Sequence, residues 1–212
     1  MTLITAAVVV LLIVATIVMV LVSRPATTDA STPAGELPAT RADTHVLDEV
    51  GAGAPTLVEF LDFECEVCGA LYPYIEELRA QYAGDINYAF RYFPLPGHAN
   101  SMNAALAVEA AAQQGRVEEM FHKMFETQSE WGEQRESKAA LFRTYAEELG
   151  LDVMAYDDAV ADPATRVRIE NDFNDGRKMG VGGTPTFYLD GQRLELNSLD
   201  DLTTAIDRAL GR

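Results

Sequence analysis

Cys65 and Cys68 are the only two cysteines in the 212 residues, and they stand in the tetrapeptide Cys65-Glu66-Val67-Cys68. A bridge across so short a loop staples no fold, so the pair reads as chemistry. Two chemistries use this spacing, thiol–disulfide exchange and metal ligation. Zinc needs two further ligands, there is no third cysteine, and His45, His98 and His122 fall at no matching spacing. No metal site is therefore expected. The pair sits where an apolar run meets a helical pattern, and the unpaired amides and dipole at a helix start favour a thiolate. Cys65, at the open end of that turn, is expected to attack and be attacked. Cys68, a helical turn further in, then closes or opens the bridge.

Two other positions bear on that chemistry. Glu59 lies six residues before Cys65 among Val58, Phe60 and Leu61, and a carboxyl in such company is costly to bury without a task or partner. Pointing toward the cysteines, it would have a raised pKa and could exchange a proton with Cys68; an edge-of-sheet glutamate reaching solvent fits the same residues. Thr184-Pro185 follows two glycines at the start of a strand pattern, where a proline cannot donate to the ladder. A cis bond there would be a tight-turn feature, which the residues alone do not decide.

The elements that must position these residues follow from periodicity. Residues 56–63 (TLVEFLDF) read as a buried strand running into a helix with Leu71, Ile75 and Leu78 on one face, closed by Gly84. A second strand, 86–95, is stopped by Pro94 and Pro96, and strand–helix–strand implies a parallel pair with a right-handed crossover. Helices follow: about 100–114, then one with Met120, Phe121, Met124 and Phe125 on one face. Ser137 is read as capping a helix with Leu141, Phe142, Tyr145 and Leu149 on a stripe; Asp152 opens a short helix, and Asp162-Pro163 another that runs to Gly180. Asp190-Gly191 marks a hairpin, and Ser198 with Asp201 a capping box before a last helix, 199–210.

Lys and Arg number 16 against 33 Asp and Glu, a formal charge of -17, so the cationic surface that nucleic-acid binding needs is missing. Residues 3–22 hold no charge, Gly or Pro, long enough as a helix to cross about 30 Å of hydrocarbon. They are expected to form an uncleaved signal anchor within residues 1–23, followed by a solvated tether at 24–43 rich in Ser, Thr, Ala and Pro, and one folded domain at 44–212. The positive-inside count, with only the α-amino group before the span and Arg24 and Arg41 after it, slightly opposes an extracytoplasmic domain.

VEFLDFECEVC, RYFPL at 91–95, the helical insertion at about 98–180 and VGGTPTF at 181–187 together resemble the DsbA family of thiol–disulfide oxidoreductases, in membrane-tethered form, over about residues 45–210. The resemblance implies an α/β thioredoxin fold with an inserted helical domain, preceded by one transmembrane helix. It implies Cys65 as exposed nucleophile, Cys68 as buried partner, Glu59 as buried acid–base, and a cis Pro185 facing the disulfide, with the Thr184 backbone pairing with substrate as an added strand. It further implies no cofactor beyond the Cys65–Cys68 disulfide, reduced exported proteins as clients, and a quinone-linked membrane partner, DsbB-like or vitamin K epoxide reductase-like, for reoxidation. The domain would then be extracytoplasmic on a single-pass anchor in the cell membrane. A tethered reductase or isomerase, and a non-catalytic chaperone that holds clients, are the alternatives. The family usually places Pro and His, or Pro and an aromatic, where Glu66 and Val67 stand. These two residues are expected to tune the pair, the carboxylates of Glu66, Asp62 and Glu64 raising the Cys65 pKa and weakening the disulfide as an oxidant.

Overall fold

The computed structural model describes residues 38–212. The expected membrane anchor and most of the tether lie outside them, and no helix among the described residues is long and apolar enough to cross a membrane.

The strands are β1 (His45–Asp48), β2 (Thr56–Leu61), β3 (Asn87–Tyr92), β4 (Thr186–Leu189) and β5 (Gln192–Arg193). They form one mixed sheet in the order β1-β3-β2-β4-β5, with β2 and β3 parallel and the other pairs antiparallel. Helix α1 (Glu66–Gln81) makes the crossover from β2 to β3. The helices α2 (Ser101–Ala112), α3 (Val117–Glu126), α4 (Gln128–Trp131), α5 (Ala139–Glu148), α6 (Val153–Ala161) and α7 (Pro163–Lys178) interrupt the sheet before β4, and α8 (Asp200–Ala209) ends the fold.

The central place of β2 explains its composition. Leu57 packs with Ile75 and Leu78 of α1 and with Leu202 and Ile206 of α8, whereas Val58 and Phe60 face the other side with Phe173 of α7. Because side chains alternate along a strand, Glu59 shares the α1 side with Leu57. Phe63, just beyond β2, packs with Phe121 and Phe125 of α3 and so joins the sheet to the helical insert. Met120, Phe121, Met124 and Phe125 are all buried, as their spacing predicts.

Helix starts follow local chemistry. Asp152 accepts from the amides of Met154 and Ala155, and Asp162 from that of Ala164 with Pro163 behind it. Ser137 is not the cap of α5; Lys138 holds that position, and its amide is taken by the Asn100 side chain at 2.7 Å. At the hairpin, Asp190 and Gly191 have φ of 50° and 80°, the pair of positive values that a two-residue hairpin turn requires. Only half of the expected capping box forms: the Asp201 carboxylate accepts from the Ser198 amide, while Leu199 is the N-cap.

The strand β1 was not legible. It pairs with β3 at the sheet edge, and the segment before it, assigned to the tether, lies against the domain. Ala39 is buried, its carbonyl accepts from Arg91, and Arg41 pairs with Asp175. These contacts belong to a buried ionic chain in which Arg91 meets Asp172 and Asp175, and Arg168 meets Asp172 and Glu109. His45 closes it with a 2.6 Å contact to Glu109. The chain ties β1 and β3 of the sheet to α2 and α7 of the insert.

Candidate active site

Cys65 is the N-cap residue of α1, with φ -65° and ψ 120°, so its sulfur stands at the start of the helix. Both thiols are free. The Cys65 pKa is lowered to about 6, first by the Cys68 thiol that donates to it, against the opposing effect of burial, and then by the Thr184 hydroxyl and the amides of Cys68 and Val67. The buried Thr184 hydroxyl has no hydrogen-bond partner among the described residues, which leaves it available to the thiolate. Cys68 goes the opposite way: burial pushes its pKa well up, helped by its bond to Cys65 and by the charge of Glu59. One helix start thus holds one sulfur ready to ionise and one that retains its proton.

The opposite face is closed by the loop before β4. The Thr184–Pro185 peptide bond is cis, and the Cys65 thiol points at the Thr184 carbonyl, 3.5 Å away. Beside it opens a groove of about 610 Å³ whose lining includes Val67, Leu71, Pro185, Phe187 and Leu199. Val67 is 54% exposed there.

Glu59 is buried in the middle of the sheet, paired across to Phe90 and Phe187, so it is no edge residue reaching solvent. Burial pushes its pKa up to about 7, and the Tyr88 hydroxyl, donating at 2.6 Å, holds back part of the rise.

Two expectations need correction. Cys65 is only 4% exposed, because the Thr184 loop and the start of α1 close over it, so its sulfur does not stand open to solvent. Nor is its pKa raised on balance; it falls to about 6. Asp62 and Glu64 turn into the protein, where Asp62 accepts from the amides of Glu64 and Leu95 and from His98, and Glu64 accepts from the amide of Asn100. Their oxygens are committed to the loop that follows β3 and to His98, while the largest influences on Cys65 are the Cys68 thiol, burial and Thr184.

His98 is a site residue that its position on a loop did not disclose. Burial alone would lower its pKa, but the 2.6 Å bond to Asp62 and the charges of Asp62 and Glu64 carry it above the ordinary value. Its other side meets Glu66 and Glu133, the three placing ligand-type atoms within 4.8 Å of one another, a grouping that spacing along the chain does not reveal. Protonated, His98 offsets the charge of Glu66 next to Cys65. Gln128 is a second such residue: its amide donates to the carbonyls of Phe63 and Cys65. It lies 63 residues from Cys65 in sequence, so no local pattern could mark it. Trp131 is buried against Phe142 in the insert core.

A profile of the thioredoxin family matches residues 51–208. Among curated proteins, the Na(+)/H(+) antiporter NhaA 1 of Mycolicibacterium gilvum is 38% identical over 143 residues, covering 65% of this chain and 22% of that protein. NhaA of Herminiimonas arsenicoxydans is 37% identical over 139 residues, covering 66% and 21%. The chain therefore spans about a fifth of the length of these relatives. Among solved structures, oxidised BdbD from Bacillus subtilis superposes with a TM-score of 0.72 at 20% identity, covering 84% of this chain and 98% of that one. The thiol-disulfide exchange protein alpha-DsbA2 from Wolbachia pipientis gives 0.63 at 25% identity, covering 78% and 86%. The thioredoxin-like sheet interrupted by a helical insert is thus shared with DsbA-type structures, and the chain belongs to the thioredoxin family.

Proposed function

We propose that this protein is a thiol–disulfide oxidoreductase that donates the Cys65–Cys68 disulfide to reduced client proteins. The observation that carries this reading is the asymmetry of the pair, Cys65 lowered to about 6 and Cys68 well above its ordinary value. A stabilised Cys65 thiolate favours the reduced form and makes the disulfide a stronger oxidant. At pH 7 only the part of the shift below ambient pH counts. That is about one unit, or about 1.4 kcal/mol and 30 mV.

A client thiolate attacks Cys65 Sγ, the S–S bond to Cys68 breaks, and Cys68 leaves with the electron pair. Glu59, protonated below about pH 7, supplies the proton that the buried Cys68 thiolate demands. The client's second thiolate then attacks its own sulfur in the mixed disulfide and releases Cys65 as the thiolate. The client is oxidised by two electrons and the protein is reduced by two. The Thr184 backbone and the adjoining groove are suited to hold an extended client segment as an added strand.

The clients would be exported proteins, with the domain outside the cytoplasm on the apolar span at residues 3–22 and a quinone-linked membrane protein as reoxidant. This part rests on the sequence and on the chemistry of the pair. The antiporter relatives share only this domain's portion of their length, and ion transport is not proposed for this chain.

The test is the reduction potential of the pair in a glutathione series, with oxidative refolding of a reduced client. A potential near that of the strong oxidants, about -120 mV, supports the reading; one near thioredoxin's, about -270 mV, overturns it in favour of a reductase. Cys65→Ser must abolish refolding; unaffected refolding would leave only the chaperone alternative.

A further inference from the structure

We propose that Gln128 is a positioning residue of the redox centre, a strap by which the helical insert holds the peptide group that carries Cys65. The inference rests on the reading of Cys65 as the nucleophile.

Gln128 opens α4, and its Nε2 donates to the Phe63 carbonyl at 2.7 Å and to the Cys65 carbonyl at 2.8 Å. Those carbonyls bracket the turn from β2 into α1. The Cys65 carbonyl also accepts from Gly69, the first turn's own bond, at 3.0 Å. Two donors on one carbonyl fix the plane of the Cys65–Glu66 peptide. That plane sets where the next amides, those of Val67 and Cys68, point, and they point at the Cys65 sulfur. Orientation of these dipoles is what a helix start offers a thiolate.

Gly69 supplies independent support. It lies inside α1, where glycine costs about 1 kcal/mol relative to alanine, and its φ is not in the left-handed region. A Cβ there would lie 1.8 Å from Gln128 Oε1 and 2.5 Å from Gln128 Cδ. The missing side chain is the room the carboxamide occupies.

The experiment uses the full chain, reading the pH midpoint of Cys65 alkylation and the reduction potential. Gln128→Ala is expected to raise the midpoint by about one unit and shift the dithiol–disulfide equilibrium about tenfold toward the disulfide, about 30 mV. Gln128→Glu, equal in size but without donors, should do the same. Gly69→Ala should reproduce the shift when Gln128 is present and add nothing in the Gln128→Ala background, the non-additivity expected of two residues acting as one unit. An unchanged midpoint and potential in Gln128→Ala, or strictly additive effects, overturns the proposal, including where only the urea midpoint falls. A wild-type Cys65 that alkylates like an ordinary thiol would instead overturn the nucleophile reading.

Discussion

Glu59 has no charged partner within the sheet, only the Tyr88 hydroxyl, so burial dominates its titration and carries its pKa from 4.5 to about 7. Below pH 4.5 the carboxyl is protonated in both the folded and unfolded chain and does not affect stability. Between 4.5 and about 7 the unfolded chain ionises while folded Glu59 keeps its proton, so stability falls, by about 3 kcal/mol in full; above that the loss is constant. Urea unfolding of reduced Glu59→Gln should lack this slope, so the variant gains on the wild type across that window. Mixed-disulfide formation below pH 7 should slow by roughly 100-fold in the same variant, because Cys68 then leaves without its acid. His98 answers in the opposite sense. Its raised pKa means the His98–Asp62 contact stabilises most at low pH and weakens as pH rises through that value. His98→Gln should raise the alkylation midpoint of Cys65 by up to about one unit, since an imidazolium near the sulfur is lost.

Among the elements, α7 shows best how backbone and side chain divide the task. Gly176 sits where α7 crosses the sheet, and a Cβ there would lie 2.9 Å from Phe93 and 3.0 Å from Phe60, both buried. An alanine at an exposed helical site would stabilise by about 1 kcal/mol. Gly176→Ala should instead destabilise by 1–3 kcal/mol through overpacking, seen as a lower urea midpoint with the same dependence on denaturant. Alternation and capping made most elements legible: the TLVEFL strand, the parallel crossover, the Asp152 and Asp162 caps and the Asp190-Gly191 turn all follow from local chemistry. His45–Asp48 escaped because four residues on an edge carry too short an alternation, and its pairing is decided by β3. The cysteine pair was legible from its spacing, whereas Glu59 stayed open between a buried acid and an edge residue, because the strands that enclose it, at Phe90 and Phe187, are remote in sequence, and the roles of Thr184 and Pro185 came only from the family resemblance. The carboxylates of Asp62 and Glu64 were misjudged because their partners, Leu95, His98 and Asn100, come from another loop. A count of charges near Cys65 in sequence cannot show that backbone amides have already taken them.

At the scale of the whole molecule, the buried ionic chain joins sheet and insert. Arg91 is fully buried, and Asp172 is shared between it, Arg168 and the Tyr92 amide. Asp172→Ala removes one member and leaves the others buried and under-paired, which should cost about 3–5 kcal/mol. Urea unfolding measures it, while the alkylation midpoint of Cys65 should stay where it is, because the largest influences on that sulfur, Cys68, burial and Thr184, all lie at the start of α1 and its facing loop. Stability and redox tuning would then be separable, one held in the ionic chain, the other at the start of α1.

A thiolate formed at low pKa is ordinarily the one that oxidants destroy, passing through sulfenic acid to the irreversible sulfinic form. Here Cys65 is buried and its sulfur is hydrogen-bonded to the thiol of Cys68, so any sulfenic acid formed at Cys65 finds its resolving thiol before a second oxidant arrives. Brief peroxide treatment of the reduced protein should yield the intramolecular disulfide by mass spectrometry, and Cys68→Ala should accumulate sulfinic Cys65 in its place. The closure that narrows access to the sulfur also keeps it repairable.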